Sequence, residues 1–259
     1  MFTGIITHIG KIKNKEKSSF IIEADISLVH KLEKGMSISV DGICLTVLEK
    51  PVNTDFSVEV MPETWKRTML GTLKENSIVN LELPVTTQAL VSGSPVREYL
   101  QDEAVQKIAV KERGLQTIRK LAGENTTSSI IPKTQTLDSI DFSPQTEAFL
   151  SGHLVQGHVD GVGIVKKITP EGNSRILTIE VSANLNRYIV EKGFIAINGI
   201  SLTVIDVGDD YFIVGIIPFT WEHTMLYTIQ EEDQINIEID ILAKYIEKMY
   251  GGVLVPARG

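Results

Sequence analysis

Ser201, Asp240 and His158 are the first residues to weigh, because the corresponding positions nearer the start carry Cys44, Pro84 and Ile5. A serine with an aspartate suits a nucleophile or a hydrogen-bonded pair, and a histidine close by suits a base. The plainer reading gives Ser201 to a turn and Asp240 to the cap of the last helix. Lys192 precedes Gly193 as Lys34 precedes Gly35, so that lysine is not diagnostic by itself. Cys44, the lone cysteine, is either a nucleophile or a small buried hydrophobe. His153 and His158 lie five apart in a glycine-rich stretch. A metal would need further ligands, none clusters nearby, and no metal is expected. Thr64 and Thr220 follow Pro62 and Pro218 and read as strand-end turn residues or ligand donors. Trp65 and Trp221 read as packing residues. Neither a G-x-G-x-x-G stretch nor a phosphate-binding loop is present, so no dinucleotide or NTP site is indicated.

These comparisons rest on an internal repeat. Asp41-Gly42-Ile43-Cys44-Leu45-Thr46-Val47 returns as Asn198-Gly199-Ile200-Ser201-Leu202-Thr203-Val204. Val60-Met61-Pro62-Glu63-Thr64-Trp65 returns as Ile216-Ile217-Pro218-Phe219-Thr220-Trp221, and Val79-Asn80-Leu81-Glu82 as Ile235-Asn236-Ile237-Glu238. Gly4 and Gly10 match Gly157 and Gly163. Lys34-Gly35 is matched to Lys192-Gly193, which leaves one extra residue in the first copy. A shift of one flips every side chain to the other face of a strand, so that residue must sit in a bulge or turn. Units of about 85 residues are too long for a solenoid and mark a duplicated domain.

The positioning elements follow from local pattern. Phe2 to Ile12, Phe20 to Ile26, Met36 to Val40, Cys44 to Leu48, Phe56 to Met61 and Ile78 to Leu83 read as short strands, and Ser27 to Leu32 as a helical turn or two. Strands with Gly and Asn turns between them predict a small antiparallel barrel, repeated over 151–240. The stretch 86–150 differs in kind. Ser94-Pro95 starts a predicted helix with apolar residues at helical spacing as far as Leu121, and irregular sequence follows. Ile241 to Tyr250 predicts a short last helix, ended by Gly251-Gly252. The net charge of -8, without a basic block, argues against nucleic acid. No apolar run has membrane-spanning length, the opening Met1-Phe2-Thr3-Gly4 carries no basic-then-apolar signal, and a lone cysteine suits a reducing compartment.

Taken together, these motifs closely resemble riboflavin synthase. The resemblance covers about 1–85 and 151–250 and rests on Met1 to Ile6, Gly42 to Val47, Gly152 to Gly161, Lys192 to Val204 and Asn236 to Asp240. It implies an all-β-dominated fold: two tandem six-stranded Greek-key barrels, at 1–85 and 151–240, then a C-terminal helix and tail at 241–259. It also implies a transferase catalysing the last step of riboflavin biosynthesis. Two molecules of 6,7-dimethyl-8-ribityllumazine would give riboflavin and 5-amino-6-ribitylaminouracil, without a cofactor. The family works as a cytoplasmic homotrimer, and association with lumazine synthase is a partner to consider. Its active site lies between the first barrel of one subunit and the second of another.

The resemblance carries over to named residues. Gly4, Ile5 and Ile6 would bind substrate, as would Ser37, Cys44, Leu45 and Thr46, with Glu59, Val60, Met61, Pro62, Glu63 and Thr64 beyond them. The second set is Gly157, His158 and Val159, then Lys192, Ser201, Leu202 and Thr203, then Gly215, Ile216, Ile217, Pro218, Phe219 and Thr220. Ser37, Cys44, Thr46 and Thr64 belong to the first pocket, and Ser201, Thr203, Asp240, Lys192 and His158 to the second. Ser201 with Asp240 would act at ring C7, His158 would handle protons and Lys192 would stabilise charge. The family joins its barrels by a far shorter connection than 86–150, and Phe219 stands where it usually carries a polar residue. A non-catalytic lumazine- or flavin-binding protein is the alternative. A flavin reductase barrel is a third reading, opposed by the missing dinucleotide motif.

Overall fold

The computed structural model describes residues 1–16, 18–85 and 151–250. The expectations for 86–150, including the helix from Ser94-Pro95, and for the tail from Gly251 lie outside the described residues. Strands β1 (His8–Lys15), β2 (Ser19–Ala24), β3 (Ser37–Val40), β4 (Ile43–Val47), β5 (Asp55–Glu59) and β6 (Ile78–Glu82) close into a barrel in the order β1-β2-β5-β4-β3-β6. Strands β7 (Gly161–Glu171), β8 (Ser174–Glu180), β9 (Phe194–Ile197), β10 (Ile200–Val207), β11 (Tyr211–Ile216) and β12 (Gln234–Ile239) close a second barrel by the same cycle. Closure leaves neither sheet with an open edge. Alternating side chains fill each interior. Phe20, Ile22, Ile38, Val58 and Leu81 pack in the first, and Leu177, Ile179, Phe212, Val214 and Ile237 in the second. Each such side chain contributes about 1.5–3 kcal/mol on burial.

Among the described residues five helices bracket the strands: α1 (Ile26–Val29), α2 (Pro62–Arg67), α3 (Ala183–Asn186), α4 (Pro218–His223) and α5 (Ile241–Tyr250). Thr64 and Thr220 therefore lie inside short helices and not at strand-end turns. Pro62 and Pro218 open α2 and α4, where a missing N–H costs nothing. Each helix stops at a threonine, Thr68 or Thr224. Its hydroxyl donates to the Thr64 or Thr220 carbonyl at 2.7 Å, and a 3-10 turn follows.

The first copy carries no extra residue before β3, because the matching of Lys34 with Lys192 is off by one. The Gly35 N–H donates to the Val47 carbonyl at 2.8 Å, and the Lys192 N–H donates to the Val204 carbonyl at 2.9 Å. Lys192 thus occupies the place of Gly35, and both are left-handed, at φ 61° and 85°.

The two barrels join through matched asparagines on their last strands. Asn80 Nδ2 donates to the Asn198 carbonyl at 2.9 Å, and its Oδ1 accepts from the Met225 N–H at 2.7 Å. Asn236 mirrors it, donating to the Asp41 carbonyl at 2.9 Å and accepting from the Met69 N–H at 2.8 Å. Between them the turns at Gly42 and Gly199 touch. A Cβ on Gly42 would lie 2.5 Å from the Gly199 nitrogen.

Asp41 breaks this symmetry. Its counterpart Asn198 accepts from the Asn236 N–H through Oδ1 and donates from Nδ2 to Met225 Sδ at 3.3 Å. Asp41 Oδ1 accepts from the Asn80 N–H at 2.8 Å, but Oδ2 is buried without a partner. Burial pushes the Asp41 carboxyl up to about 7. The folded chain then holds a proton that the unfolded chain releases near the ordinary aspartate value of about 3.9. The stability from this group is full below that pH, falls as pH rises, and is gone once pH passes about 7. Asp41→Asn should remove this slope, so its melting temperature should gain on the parent between pH 4 and pH 8. Scanning calorimetry at both pH values tests this, and an equal offset at the two would contradict it.

Candidate functional site: matched outer faces with unlike residues

The alternation that sends Ile38, Val40 and Leu45 inward sends their neighbours out. On the first barrel Ser37 pairs with Thr46, Ser39 with Cys44, and Thr46 again with Glu59. On the second, Phe194 pairs with Thr203 and Ala196 with Ser201. Val204 pairs with Val214 as Val47 pairs with Val58, which sets Gly215 at the place of Glu59. The first face is therefore hydroxyls, a thiol and a carboxylate. The second carries a half-exposed aromatic ring, an alanine and a glycine around Ser201 and Thr203.

The loop that leads into each barrel's first strand crosses to the other barrel's face. The Gly4 carbonyl accepts from the Ser201 N–H at 2.8 Å, and the Gly157 carbonyl accepts from the Cys44 N–H at 2.9 Å. Phe2 and Val155 pair antiparallel between the loops. Only glycine fits at these crossings. Gly4 and Gly157 have φ of 77° and 79°, and a Cβ on either would lie 2.6 Å from the Cβ of Ser201 or Cys44. Ile6 consequently packs in the core of the second barrel, and Val159 packs against that of the first.

Buried glutamates hold both loops. Glu82 accepts from the Thr3 N–H and hydroxyl through Oε1, each at 2.7 Å, and from the Gly4 N–H through Oε2 at 3.0 Å. Glu238 accepts from the N–H groups of Gln156, Gly157 and His158 at 2.6, 2.9 and 3.0 Å. Burial raises both carboxyls, Glu82 to about 7, against the pull of these hydrogen bonds.

The histidine beside Ser201 is His153. Its Nδ1 lies 2.7 Å from Ser201 Oγ, and its ring stacks on Phe194 with centroids 5.1 Å apart and planes 8° apart. Burial lowers its pKa, and the Asp240 carboxylate opposes that shift, so the aspartate stands close enough to act on the ring. Asp240 Oδ1 also accepts from the Leu242 N–H at 3.0 Å, so it caps α5 as well. The expectation that His158 serves Ser201 is corrected. His158 rides on the loop laid against Cys44, with its N–H held by Glu238. Lys192 is not brought to Ser201. It is exposed, and its ammonium stands 3.8 Å from Glu191.

The remaining predicted positions are rim or support. Glu59, Met61, Pro62 and Glu63 are exposed, Thr64 is half-buried and Val60 is buried. Glu63 pairs with Arg67 at 2.7 Å. In the second barrel the matching pair is aromatic, Phe219 stacked on His223 at 4.2 Å. Ile217, Pro218 and Phe219 are exposed, Thr220 is half-buried, and Ile216 and Leu45 belong to the cores. Ile5 and Leu202 are half-buried. Two functional candidates escaped sequence reasoning. From spacing alone His153 reads only as a possible metal ligand, and Phe194 matches Ser37 only once Lys192 is matched with Gly35. No group of three or more potential metal ligands occurs among the described residues. No helix among them is long and apolar enough to cross a membrane.

Paired closed barrels, each lending a loop to the other's outer face, define a duplicated-barrel protein with two matched faces. The family model described as lumazine binding domain matches residues 3–84 and 156–240. Riboflavin synthase of Actinobacillus pleuropneumoniae is 36% identical over 251 residues, covering 96% of this chain and 89% of that one. Riboflavin synthase of Mycobacterium bovis is 30% identical, covering 96% and 98%. The crystal structure of LumP complexed with riboflavin superposes with a TM-score of 0.63 at 19% identity, covering 93% of this chain and all of that one. The chain belongs to the riboflavin synthase family, enzymes built on a duplicated lumazine-binding domain.

The environment of His153 gives a direct test. Its imidazole should titrate below the ordinary histidine value of about 6.5. Asp240→Asn should lower it further, since the carboxylate is the influence that raises it. Proton NMR of the ring across a pH series reads both. A higher pKa in the variant would overturn the assignment.

Proposed function

We propose that the chain catalyses the dismutation of two 6,7-dimethyl-8-ribityllumazine molecules to riboflavin and 5-amino-6-ribitylaminouracil. One molecule transfers a four-carbon unit to the other. The two products together hold every atom of the two substrates, so no outside oxidant or reductant enters the balance. One observation carries this reading: the two faces match in backbone and differ in side chains, as two identical molecules in unlike roles require. The Ser37, Cys44, Thr46 and Glu59 face offers hydrogen bonds. The Phe194, Ser201 and Thr203 face offers a ring to stack on and a serine–histidine pair. Holding two reactants face to face accounts for a large share of such a barrier.

In this reading His153 and Ser201 act at ring C7. With its pKa lowered, His153 is neutral at physiological pH. Ser201 then donates its hydroxyl proton to Nδ1, which readies Oγ for addition at C7. The 7-methyl proton of the other molecule goes to a second base, because His153 already holds the proton from Ser201. Asp240 favours the imidazolium that results. His158, on the loop laid against Cys44, is that base for the first face.

Both faces are half-exposed, and a homotrimer would bring the first face of one subunit to the second face of its neighbour. The outward side of α5, with Leu242, Tyr245, Ile246 and Met249 exposed, supports such an assembly. Cys44 as a free thiol suits a cytoplasmic setting.

Purified protein mixed with the dimethyl-lumazine should develop riboflavin absorbance. Ser201→Ala and His153→Ala should each lower kcat by roughly a hundredfold or more while KM moves little, because the pair acts mainly in the transition state. Tight lumazine binding without conversion would instead favour a binding protein.

A further inference from the structure

We infer that Glu82, on the last strand of the first barrel, is a positioning residue for the Ser201–His153 pair of the second. It works through the backbone of Thr3 and Gly4. The inference rests on the reading that this pair is catalytic.

Glu82 is buried and takes three hydrogen bonds from two consecutive residues, the N–H and hydroxyl of Thr3 and the N–H of Gly4. The donors of Thr3 and Gly4 are thus fixed on one carboxylate. Their carbonyls point onward. The Thr3 carbonyl accepts from the His153 N–H at 3.1 Å, and the Gly4 carbonyl accepts from the Ser201 N–H at 2.8 Å. Both members of the pair are therefore indexed by the dipeptide that Glu82 holds. The path has little slack. A Cβ on Gly152 would lie 2.1 Å from the Thr3 oxygen, and one on Gly4 would lie 2.6 Å from the Ser201 Cβ. A change in the tilt of the Thr3–Gly4 peptide must move His153 against Ser201.

The repeat supplies an internal comparison. Glu238 holds Gln156, Gly157 and His158 in the same manner, and the Gly157 carbonyl accepts from the Cys44 N–H at 2.9 Å. That path leads to His158 and Cys44 of the first face. The Glu82 path leads to His153 and Ser201, whose side chains stand 2.7 Å apart, so its geometry sets the distance within that pair. A mere anchor for the N-terminal segment would affect melting. It would not affect the ring of a histidine in the other barrel.

Glu82→Gln in the full chain is the test. A glutamine can accept at one end only, and its amide N–H groups face the donors it should receive. The variant should lose roughly tenfold to a hundredfold in kcat with KM within about threefold, the pattern of misplaced reacting groups. The NMR signals of the His153 ring should shift toward those of Ser201→Ala, and should move more than in Glu238→Gln. A folded Glu82→Gln with unmoved His153 signals, or with less movement than Glu238→Gln, overturns the inference. If Glu82→Gln does not fold, Thr3→Val removes the hydroxyl donor, together with the acceptor of the Ile5 N–H at 3.2 Å, and leaves both backbone donors. It should give the same changes to a smaller degree, and Thr3→Ser should restore them. Thr3→Val identical to the parent in both readouts would also overturn it. If the parent itself makes no riboflavin, the catalytic reading fails, while the NMR comparison still decides whether Glu82 governs His153.

Discussion

Everything in the paired barrels depends on the contact at their shared axis. Asn80 and Asn236 are buried side chains that spend their amides across the boundary, each on a carbonyl and an N–H of the opposite barrel. A buried amide left without such partners would cost about 1–3 kcal/mol, so neither barrel can turn away from the other cheaply. The glycine turns at 42 and 199 let the backbones come close enough for those hydrogen bonds to form. The junction is reciprocal, as expected when a duplicated domain pairs with its own copy.

Once the barrels are fixed back to back, the loops before β1 and β7 can cross. Each is pinned at one end by a glutamate of its own barrel and lies on the face of the other. Neither face is then the property of one half of the chain. Ser201 needs Gly4, His153 needs the Thr3 carbonyl, and Cys44 needs Gly157. An N-terminal unit cut at residue 85 keeps Cys44 and Thr46 and loses the loop that bears His158. The same crossing ties burial to chemistry, because Ile6 is a core residue of the barrel whose site its loop completes.

Duplication also explains where the chain differs from itself. Positions that hold the junction stay matched: Asn80 with Asn236, Thr68 with Thr224, Glu82 with Glu238. Positions on the outer faces diverge, Ser37 to Phe194, Ser39 to Ala196, Cys44 to Ser201 and Glu59 to Gly215. Asp41 against Asn198 is the exception, an asymmetry within the junction that leaves a carboxyl oxygen unpartnered. A backbone shared by both faces and side chains that are not shared give two related faces with different polar groups. The same division appears at the rims, where an exposed Glu63–Arg67 ion pair is replaced by the Phe219–His223 stack.

Much of the fold was legible in the sequence. Apolar alternation and turn residues placed the strands, except that the run from Phe2 becomes a strand only at His8 and is the crossing loop before it, and the repeat showed that there were two of each. The last helix was legible from its spacing, as was the pairing of Cys44 with Ser201. The helices α2 and α4 were missed, since a proline opening a single turn looks like a turn until the following threonine closes it by a tertiary arrangement. The offset between Gly35 and Lys192 was misread because glycine and lysine share no chemistry. What they share is a left-handed backbone and a hydrogen bond to β4 or β10. Ser201 and Asp240 could be named from sequence because the repeat exposes them. Their histidine could not. His153 and His158 sit in the same glycine-rich stretch, and Phe2 pairing with Val155 turns one toward Ser201 and leaves the other on the loop beside Cys44. Sequence determines which residue types are present and on which side of a strand they fall. Only the crossing of two chain segments, fixed by buried hydrogen bonds far apart in number, decides which of them meet.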